Sequence, residues 1–166
     1  MKIGLLSDTH GYFDNRFKEL FKDCHEVWHG GDWGEGVAEK LEAFKPVRGV
    51  YGNIDGQFIR SKYPEKNFFI VNDLKVLMIH IGGYPNHYAP GVKDLIKQFQ
   101  PGLFICGHSH ILKVMPDASL NLLHINPGAA GKSGFHVMRT AIRFEIINGT
   151  VKNLEVIELG KRSSLE

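Results

Sequence analysis

The chain has 166 residues, of which 43% are hydrophobic and 23% charged, a composition that fits one soluble globular domain rather than a disordered or membrane protein. Its formal net charge is +2 and its basic residues are scattered, so no basic stripe is present to follow a nucleic-acid backbone. No stretch has transmembrane length, and the first residues lack the pattern of a secretory signal. We therefore expect a cytoplasmic protein, with Cys24 and Cys106 as buried thiols.

The first half of the chain alternates predicted strands and helices. Apolar residues predict a first strand over 3–7, and the spacing of aromatic and apolar residues over 13–24 predicts an amphipathic helix. A second strand is predicted over 26–29, a second helix over 37–44 and a third strand over 47–51. This alternation implies parallel strands that are joined by right-handed crossovers.

The second half of the chain is richer in predicted strands. Residues 52–66 are predicted as an irregular loop, followed by a hairpin that turns at Asn72-Asp73. A third helix is predicted over 92–99, and most of the remainder reads as strand, with a clear hairpin turn at Asn148-Gly149. Together the two halves predict two sheets packed face to face with helices outside.

The expected domain organisation is simple. Residues 1–160 are predicted to form one domain, because the chain shows no repeat, low-complexity segment or linker. Residues 161–166 lose periodicity, and we interpret them as a tail that is partly vector-derived.

Five short segments place potential metal ligands where a strand is predicted to end. Any one of these residues alone would be better explained as a structural group, but five such coincidences together favour a metal site. Side chains beyond the carboxyl ends of parallel strands meet at one edge of a sheet. Seven ligands are too many for one ion and suit two ions that share a carboxylate. They are Asp8, His10, Asp32, Asn53, His80, His108 and His110.

In chain order these motifs read Asp-x-His, Gly-Asp, Gly-Asn, His and Gly-His-x-His, and the series resembles the calcineurin-like metallophosphoesterase superfamily. The short length and the Gly-Asn-x-Asp form at 52–55 resemble its small bacterial and archaeal phosphodiesterase branch, as does Asn126-Pro127-Gly128. The resemblance covers residues 1–159. It implies an α/β protein of the α+β type, a four-layer α-β-β-α sandwich of two packed mixed sheets with flanking helices.

The resemblance also implies a dinuclear metal site, with Asp32 as the bridging ligand. One ion would be held by Asp8, His10, Asp32 and His110, and the other by Asp32, Asn53, His80 and His108. A set of nitrogen and oxygen donors without thiolate favours two divalent transition-metal ions, manganese first, with nickel, iron, cobalt or zinc as alternatives. Two such ions lower the pKa of a bridging water, and the resulting hydroxide would attack phosphorus in line.

The predicted function is therefore metal-dependent hydrolysis of a small phosphodiester. The two ions, the two aspartates and one hydroxide leave a single positive charge, which a diester monoanion neutralises. Extra positive charge from Arg48, Arg60 or Lys62 would also admit a monoester, so this preference is weak. A catalytically weak protein-binding scaffold is the alternative, because one retromer subunit resembles the same branch. The sequence leaves open whether the protein forms a homo-oligomer.

Two departures from the family pattern affect catalysis and substrate binding. Ile54 stands where many members have a histidine that protonates the leaving group. Asp55 is therefore the candidate replacement for that acid, and it is a candidate catalytic residue together with Asn53. A turn role for Asp55 is an equal alternative. After His80 the second histidine of the usual His-Gly-His is missing, and His87 in the following aromatic loop is the predicted substrate-binding replacement, with a plain surface connection as the alternative.

The other histidines receive different interpretations. We expect His29 to support the site from behind, and His25 and His124 to be structural. His136 lies on a glycine-rich loop that could touch a phosphate, which is weak evidence on its own.

Overall fold

The computed structural model describes residues 1–163. Its first elements are, in chain order, β1 (Lys2–Leu6), α1 (Arg16–Leu20), β2 (Glu26–His29), α2 (Val37–Glu42), β3 (Val47–Gly49), α3 (Gln57–Lys62), β4 (Lys66–Val71) and β5 (Leu74–Ile79). The later elements are β6 (Gly83–Tyr84), β7 (His87–Tyr88), α4 (Val92–Phe99), β8 (Leu103–Ile105), β9 (Leu112–Asp117), β10 (Leu122–Pro127), β11 (Met138–Ile147) and β12 (Thr150–Lys161).

Two five-stranded sheets dominate the architecture. Sheet A has the strand order β12-β11-β1-β2-β3, in which β1, β2 and β3 are parallel to one another and β11 and β12 are antiparallel. Sheet B has the order β4-β5-β8-β10-β9, with β5, β8 and β10 parallel and an antiparallel strand at each edge. Each sheet therefore contains three neighbouring parallel strands, whose carboxyl ends lie at one edge of the sandwich.

The main core lies between the two sheets. Ile3 and Trp28 of sheet A pack in one cluster with Val76, Ile105 and other buried side chains of sheet B. These residues alternate along their strands with side chains that point the other way, as the period of two requires. The apolar inner faces thus hold the sheets together.

The outer faces of the sheets are covered by helices. Phe17 of α1 and Leu41 of α2 pack with residues of sheet A, while Val92 and Ile96 of α4 pack against the outer face of sheet B. This arrangement confirms the predicted four-layer sandwich of two mixed sheets. None of the described helices is both long and apolar enough to cross a membrane.

Three local predictions were wrong. Residues 52–66 contain α3, a six-residue helix in which Ile59 is the buried residue, so no apolar periodicity announced it. The regular part of α1 is much shorter than the predicted 13–24, although its flanking turns still keep the rings of Phe13 and Phe17 in contact at 5.5 Å. The segment after His80 forms the small β6–β7 hairpin rather than an irregular loop.

The tail prediction needs a correction at its start. Lys161 is the last residue of β12, so the expected boundary after residue 160 falls inside a strand. The Nε of Arg162 also donates to the carbonyl oxygen of His136 at 3.0 Å. Residues 164–166 lie outside the described part of the chain.

Candidate metal centre

The seven predicted ligands all lie just beyond the carboxyl ends of parallel strands. Sheet A supplies four of them, after β1, β2 and β3, and sheet B supplies three, after β5 and β8. Because parallel strands end at a common edge, ligands from distant parts of the chain can meet there. In chain order the residues are Asp8, His10, Asp32, Asn53, His80, His108 and His110.

A first group of donors is formed by Asp8, His10 and His110, whose ligand atoms all lie within 4.8 Å of one another. The Nε2 atom of His110 is 3.2 Å from Oδ1 of Asp8 and 3.2 Å from Nε2 of His10. Asp8 is fully buried, while the two imidazoles are half-buried. One carboxylate and two imidazoles thus converge on a single point.

A second group is formed by Asp32, His80 and His108 under the same distance limit of 4.8 Å. The Nε2 atom of His80 is 3.3 Å from Oδ2 of Asp32. Asn53 completes this group, because its Oδ1 lies 3.2 Å from Nε2 of His80 and 3.0 Å from Nδ1 of His108. The second group therefore offers one carboxylate, one amide oxygen and two imidazoles.

Asp32 lies between the two groups. Its Oδ2 is 3.3 Å from Nε2 of His80 in the second group and 3.7 Å from Nε2 of His10 in the first. Its Oδ1 accepts the backbone N–H of Ile54 at 3.0 Å, which fixes the carboxylate plane. Burial opposes ionisation of Asp32, but the neighbouring His80 imidazole outweighs burial and lowers the pKa of this carboxyl.

Five of the ligands have a backbone conformation that is unusual for their residue type. The left-handed region is sparsely populated by residues other than glycine, and such strain concentrates at functional sites. No residue type in the motifs announces this conformation. The φ angles are 54° for Asp8, 46° for His10, 55° for Asp32, 67° for His108 and 59° for His110.

Hydrogen bonds orient the imidazoles of both groups. The Nδ1 of His80 donates to the carbonyl oxygen of Gly30 at 2.8 Å, so its Nε2 is the nitrogen that faces the site. The Nε2 of His136 donates to the carbonyl oxygen of Gly131 at 3.0 Å, so its Nδ1 can accept from Nδ1–H of His110 at 3.2 Å. With these tautomers, assigned from the bonding pattern, Nε2 of His110 presents a lone pair to the site.

The carboxylate of Asp8 is fixed by two further donors. The Ser7 hydroxyl donates to Oδ2 of Asp8 at 2.6 Å, and the backbone N–H of His108 lies 3.1 Å from the same oxygen. A Cβ at Gly107 would lie 2.2 Å from the Ser7 hydroxyl oxygen and 2.7 Å from Oδ2 of Asp8, so only glycine fits there. Sequence reasoning missed Ser7, since nothing distinguishes it from an ordinary strand-end serine.

His29 packs beneath the site. Its Nδ1 accepts the backbone N–H of Gly31 at 3.1 Å, so its Nε2 donates to the Thr9 hydroxyl at 2.9 Å. Its ring stacks on Trp33 with centroids 3.8 Å apart. Complete burial lowers the pKa of His29 well below its ordinary value, so the ring is neutral and holds the loops that carry Asp8 and Asp32.

Asp55 holds together the loops that carry two of the ligands. Its Oδ1 accepts the backbone N–H groups of Trp33 at 2.9 Å and Gly34 at 3.1 Å, and its Oδ2 accepts that of Gly52 at 2.8 Å. The residue is 4% exposed, and burial raises the pKa of its carboxyl. Because both oxygens are engaged by backbone donors, this geometry does not support the predicted role as a proton donor.

Of the remaining candidates for substrate contact, two line clefts beside the site and two are engaged in ion pairs. His87 lies on β7, exposed, and lines a cleft that also reaches His108. Arg60 lines a second cleft with Asn53 and His80. Arg48 and Lys62, by contrast, form ion pairs with glutamates, at 2.7 Å in each case.

Residues 1–149 match the family model described as the calcineurin-like phosphoesterase superfamily domain. The chain belongs to this superfamily. The resemblance drawn from the motifs is therefore confirmed.

Individual relatives agree with this assignment. Phosphodiesterase MJ0936 of Methanocaldococcus jannaschii is 32% identical over 145 residues, which span 77% of this chain and 83% of that protein. A solved archaeal phosphodiesterase superposes with a TM-score of 0.75 at 24% identity, covering 96% of this chain and 100% of that one. Vps29 of Chaetomium thermophilum gives 0.74 at 13% identity, with coverage of 96% and 95%. The two structural similarities show the fold alone.

Proposed function

We propose that this protein is a phosphodiesterase that holds two divalent metal ions. The observation that carries the proposal is the pair of donor groups, each with atoms within 4.8 Å, and the position of Asp32 between them. Asp8, His10 and His110 would hold one ion, Asn53, His80 and His108 the other, and Asp32 would contact both. This is the division that the sequence resemblance implied.

The donor set fits transition-metal ions of the proposed kind. Imidazole nitrogens lie within 4 Å of both buried carboxylates, and hydrogen bonds at Nδ1 of His80 and of His110 leave Nε2 of each ring facing the site. When bound, two such ions polarise phosphoryl oxygens and supply hydroxide at neutral pH. Nitrogen and oxygen donors suit manganese, and also nickel, iron, cobalt or zinc.

The surroundings of the donors favour a diester over a monoester. Separate clefts adjoin the site, one of about 210 Å³ beside His108 and one of about 240 Å³ beside Asn53 and His80. A diester has two ester groups to place, whereas a monoester has one. Arg60 in the second cleft donates from Nε to the backbone oxygen of Asp55 at 2.6 Å, so its charge is held near the site.

Within residues 1–163, neither of the two positions considered for the general acid supplies a free proton donor for the leaving group. Ile54, at the position of the family's histidine, is 47% exposed and carries no titratable group. The carboxyl of Asp55 is occupied by backbone donors. General acid catalysis typically contributes about 10²–10⁴-fold, so we expect the enzyme to favour esters whose leaving group needs no protonation.

The decisive experiment combines metal analysis with hydrolysis of bis(4-nitrophenyl) phosphate and 4-nitrophenyl phosphate. We expect about two bound divalent ions per chain, faster turnover of the diester, and loss of turnover on chelation that is restored by manganese. His108→Ala is expected to lower kcat at least about 100-fold.

The matched control is His25→Ala, because His25 is an exposed histidine outside the site. Its activity should equal that of the wild type. A wild-type protein that binds no metal and hydrolyses neither ester would contradict the proposal, and faster monoester hydrolysis would remove the diester preference.

A protein-binding scaffold is the second candidate. The supporting observation is a group of exposed apolar side chains close to the site, with Ile111 61%, Phe135 103% and Val137 74% exposed. Protein interaction sites commonly expose such groups. A protein that binds metal fully but shows no turnover on any diester would favour this candidate over the enzyme.

A further inference from the structure

The cleft beside His108 has features that the metal centre does not explain. We name it the Tyr84 cleft, and it has a volume of about 210 Å³. It opens on the outer face of sheet B, next to the end of β8. It is lined by Ile81, Gly82, Gly83, Tyr84, His87, Ala89, Gly107, His108, Ser109, Ile111, Lys113, His124 and Asn126.

One wall of the Tyr84 cleft is the β6–β7 hairpin, which presents two aromatic rings. The rings of Tyr84 and His87 are paired across the hairpin with centroids 4.9 Å apart. Pro85 and Asn86 form the turn, and Asn86 has a φ of 71°, as the third residue of a type II turn requires. The turn therefore holds the two rings beside each other.

Hydrogen bonds and a ring contact attach the hairpin to sheet B. The Cys106 thiol donates to the carbonyl oxygen of Gly83 at 3.3 Å, and the Tyr88 hydroxyl donates to Oδ2 of Asp117 at 2.6 Å. The Tyr88 ring also packs on Phe104 with centroids 5.9 Å apart. These contacts make the aromatic wall a fixed part of the fold.

The opposite wall comes from β9 and carries positive charge. Lys113 stands opposite Asn126 in the β9–β10 register. Its Nζ lies 3.9 Å from the centroid of the Tyr84 ring, so the lysine reaches across the cleft to the aromatic wall. Among the residues that the structure describes, no carboxylate lines the cleft, which is therefore apolar, aromatic and cationic.

The floor contains a polar group without a partner. His124 is 0% exposed, and its Nδ1 is a buried side-chain atom that forms no hydrogen bond. Its Nε2 lies 3.9 Å from the Cys106 sulfur. Burial lowers the pKa of His124 to about 4, so the ring is neutral at physiological pH. With no exposed surface, this ring contributes to the packing of the floor and offers no hydrogen bond to the cleft.

We propose that the Tyr84 cleft binds one ester group of the diester substrate, and that this group is a single planar unsaturated ring. The inference rests on the proposed phosphodiesterase function. The volume suits one ring, since a cavity of about 150 Å³ holds benzene. The Tyr84 and His87 rings supply aromatic contacts and Lys113 adds a cation beside them, and the cleft meets the metal centre at His108, where the phosphorus would lie.

The experiment compares diesters that share the 4-nitrophenolate leaving group and differ in the other ester, phenyl or methyl. We expect kcat/KM of the wild type to favour the phenyl ester about tenfold, because stacking on one aromatic side chain is worth about that much. Tyr84→Ala should reduce this ratio at least about fivefold. Phe68→Ala, which truncates an aromatic residue 41% exposed on β4, should keep the wild-type ratio.

The outcomes separate the cleft from the catalytic proposal. If the methyl ester is hydrolysed and Tyr84→Ala leaves the phenyl-to-methyl ratio unchanged, the cleft proposal fails while the phosphodiesterase function stands. If no ester is hydrolysed, the phosphodiesterase function fails, and calorimetric titration with phenylphosphonate decides about the cleft. Binding that Tyr84→Ala weakens at least about fivefold supports the proposal, and equal or absent binding in both proteins overturns it.

Discussion

Nδ1 of His136 lies 3.2 Å from Nδ1 of His110, and the far side of the His136 ring is bonded to the Gly131 carbonyl at 3.0 Å. This chain of bonds fixes the tautomer and the ring plane of His110.

Replacement of His136 by alanine should therefore weaken metal binding without unfolding the protein. We expect the affinity for the manganese ion held by the first group (Asp8, His10 and His110) to fall about 10–100-fold, since partners that orient a metal ligand typically contribute that much to metal affinity. Calorimetric titration of metal into chelator-treated protein measures the effect. His25→Ala serves as the control, and an unchanged affinity in His136→Ala would show that His110 orients itself.

Asp55→Asn should lower stability rather than abolish proton transfer. The amide retains one acceptor oxygen for the backbone donors of Trp33, Gly34 and Gly52 but places an N–H₂ group against at least one of them. An unsatisfied buried donor costs about 1–3 kcal/mol, which thermal or urea unfolding would detect.

The same variant also tests the acid role directly. If Asp55 protonated the leaving group, Asp55→Asn would slow alkyl esters far more than nitrophenyl esters. We expect both ester classes to change by the same factor. A selective loss on alkyl esters would restore Asp55 as the acid.

Ile54→His should create the proton donor that the site lacks. Ile54 directly follows Asn53, and its side chain is 47% exposed, so an imidazole can be accommodated there. We expect alkyl diesters to be hydrolysed about 10–100-fold faster and nitrophenyl diesters to change little, because only poor leaving groups need protonation. The pH profile of the alkyl reaction should gain a basic limb near pH 6–7.

Ile54→Gln is the matched control, because glutamine is polar and of similar size to histidine but does not titrate. It should give no gain on alkyl diesters. An equal gain in both variants would mean that polarity at this position, rather than proton donation, limits the reaction.

Acid should destabilise the protein partly through Asp14. This carboxylate is 5% exposed and lies 2.6 Å from Nη2 of Arg16 and 2.8 Å from Nη2 of the buried Arg139. Burial opposes its ionisation, but the two guanidinium groups outweigh burial and hold the pKa of Asp14 well below its ordinary value. The ionised carboxylate therefore stabilises the fold above about pH 4, and this contribution is lost as the pH falls below that value.

Asp14→Asn should consequently reduce the free energy of unfolding by about 3 kcal/mol at pH 7. The difference from the wild type should shrink in urea titrations below about pH 4. Asp23→Asn, at an exposed position, should change stability little at either pH. A penalty for Asp14→Asn that does not depend on pH would rule out the ionic explanation.

The fold and the convergence of the candidate ligands can be predicted from the sequence for one physical reason. A parallel strand of this kind has two local signals in the sequence, an apolar run and then a residue that can bind a metal ion. Both signals are present at Asp8, Asp32 and His80. Once the strands are taken as parallel, their ends must share an edge. The four-layer arrangement then follows from apolar faces that need partners.

Other features depend on contacts that no local pattern encodes. The left-handed φ of 67° at His108 is set by its surroundings, because histidine adopts this region in only a minority of cases. Helix α3 buries Ile59 alone and so has no periodic signal. The Tyr84 cleft joins residues as far apart in sequence as Tyr84, Lys113 and His124.

The origin of the donors in each group has a mechanical consequence. In the first group Asp8 and His10 follow strand β1 of sheet A, whereas His110 follows strand β8 of sheet B. In the second group Asp32 belongs to sheet A, and His80 and His108 belong to sheet B. An ion in either group would therefore cross-link the two sheets at one end of the sandwich. The opposite end is held by side-chain packing and by hydrogen bonds such as that from the N–H of Gly149 to the carbonyl oxygen of Asn72 at 2.9 Å. Loading the protein with metal would then protect backbone amides unevenly, most at the edge where the strands end and least at the hairpin turn around Asn148.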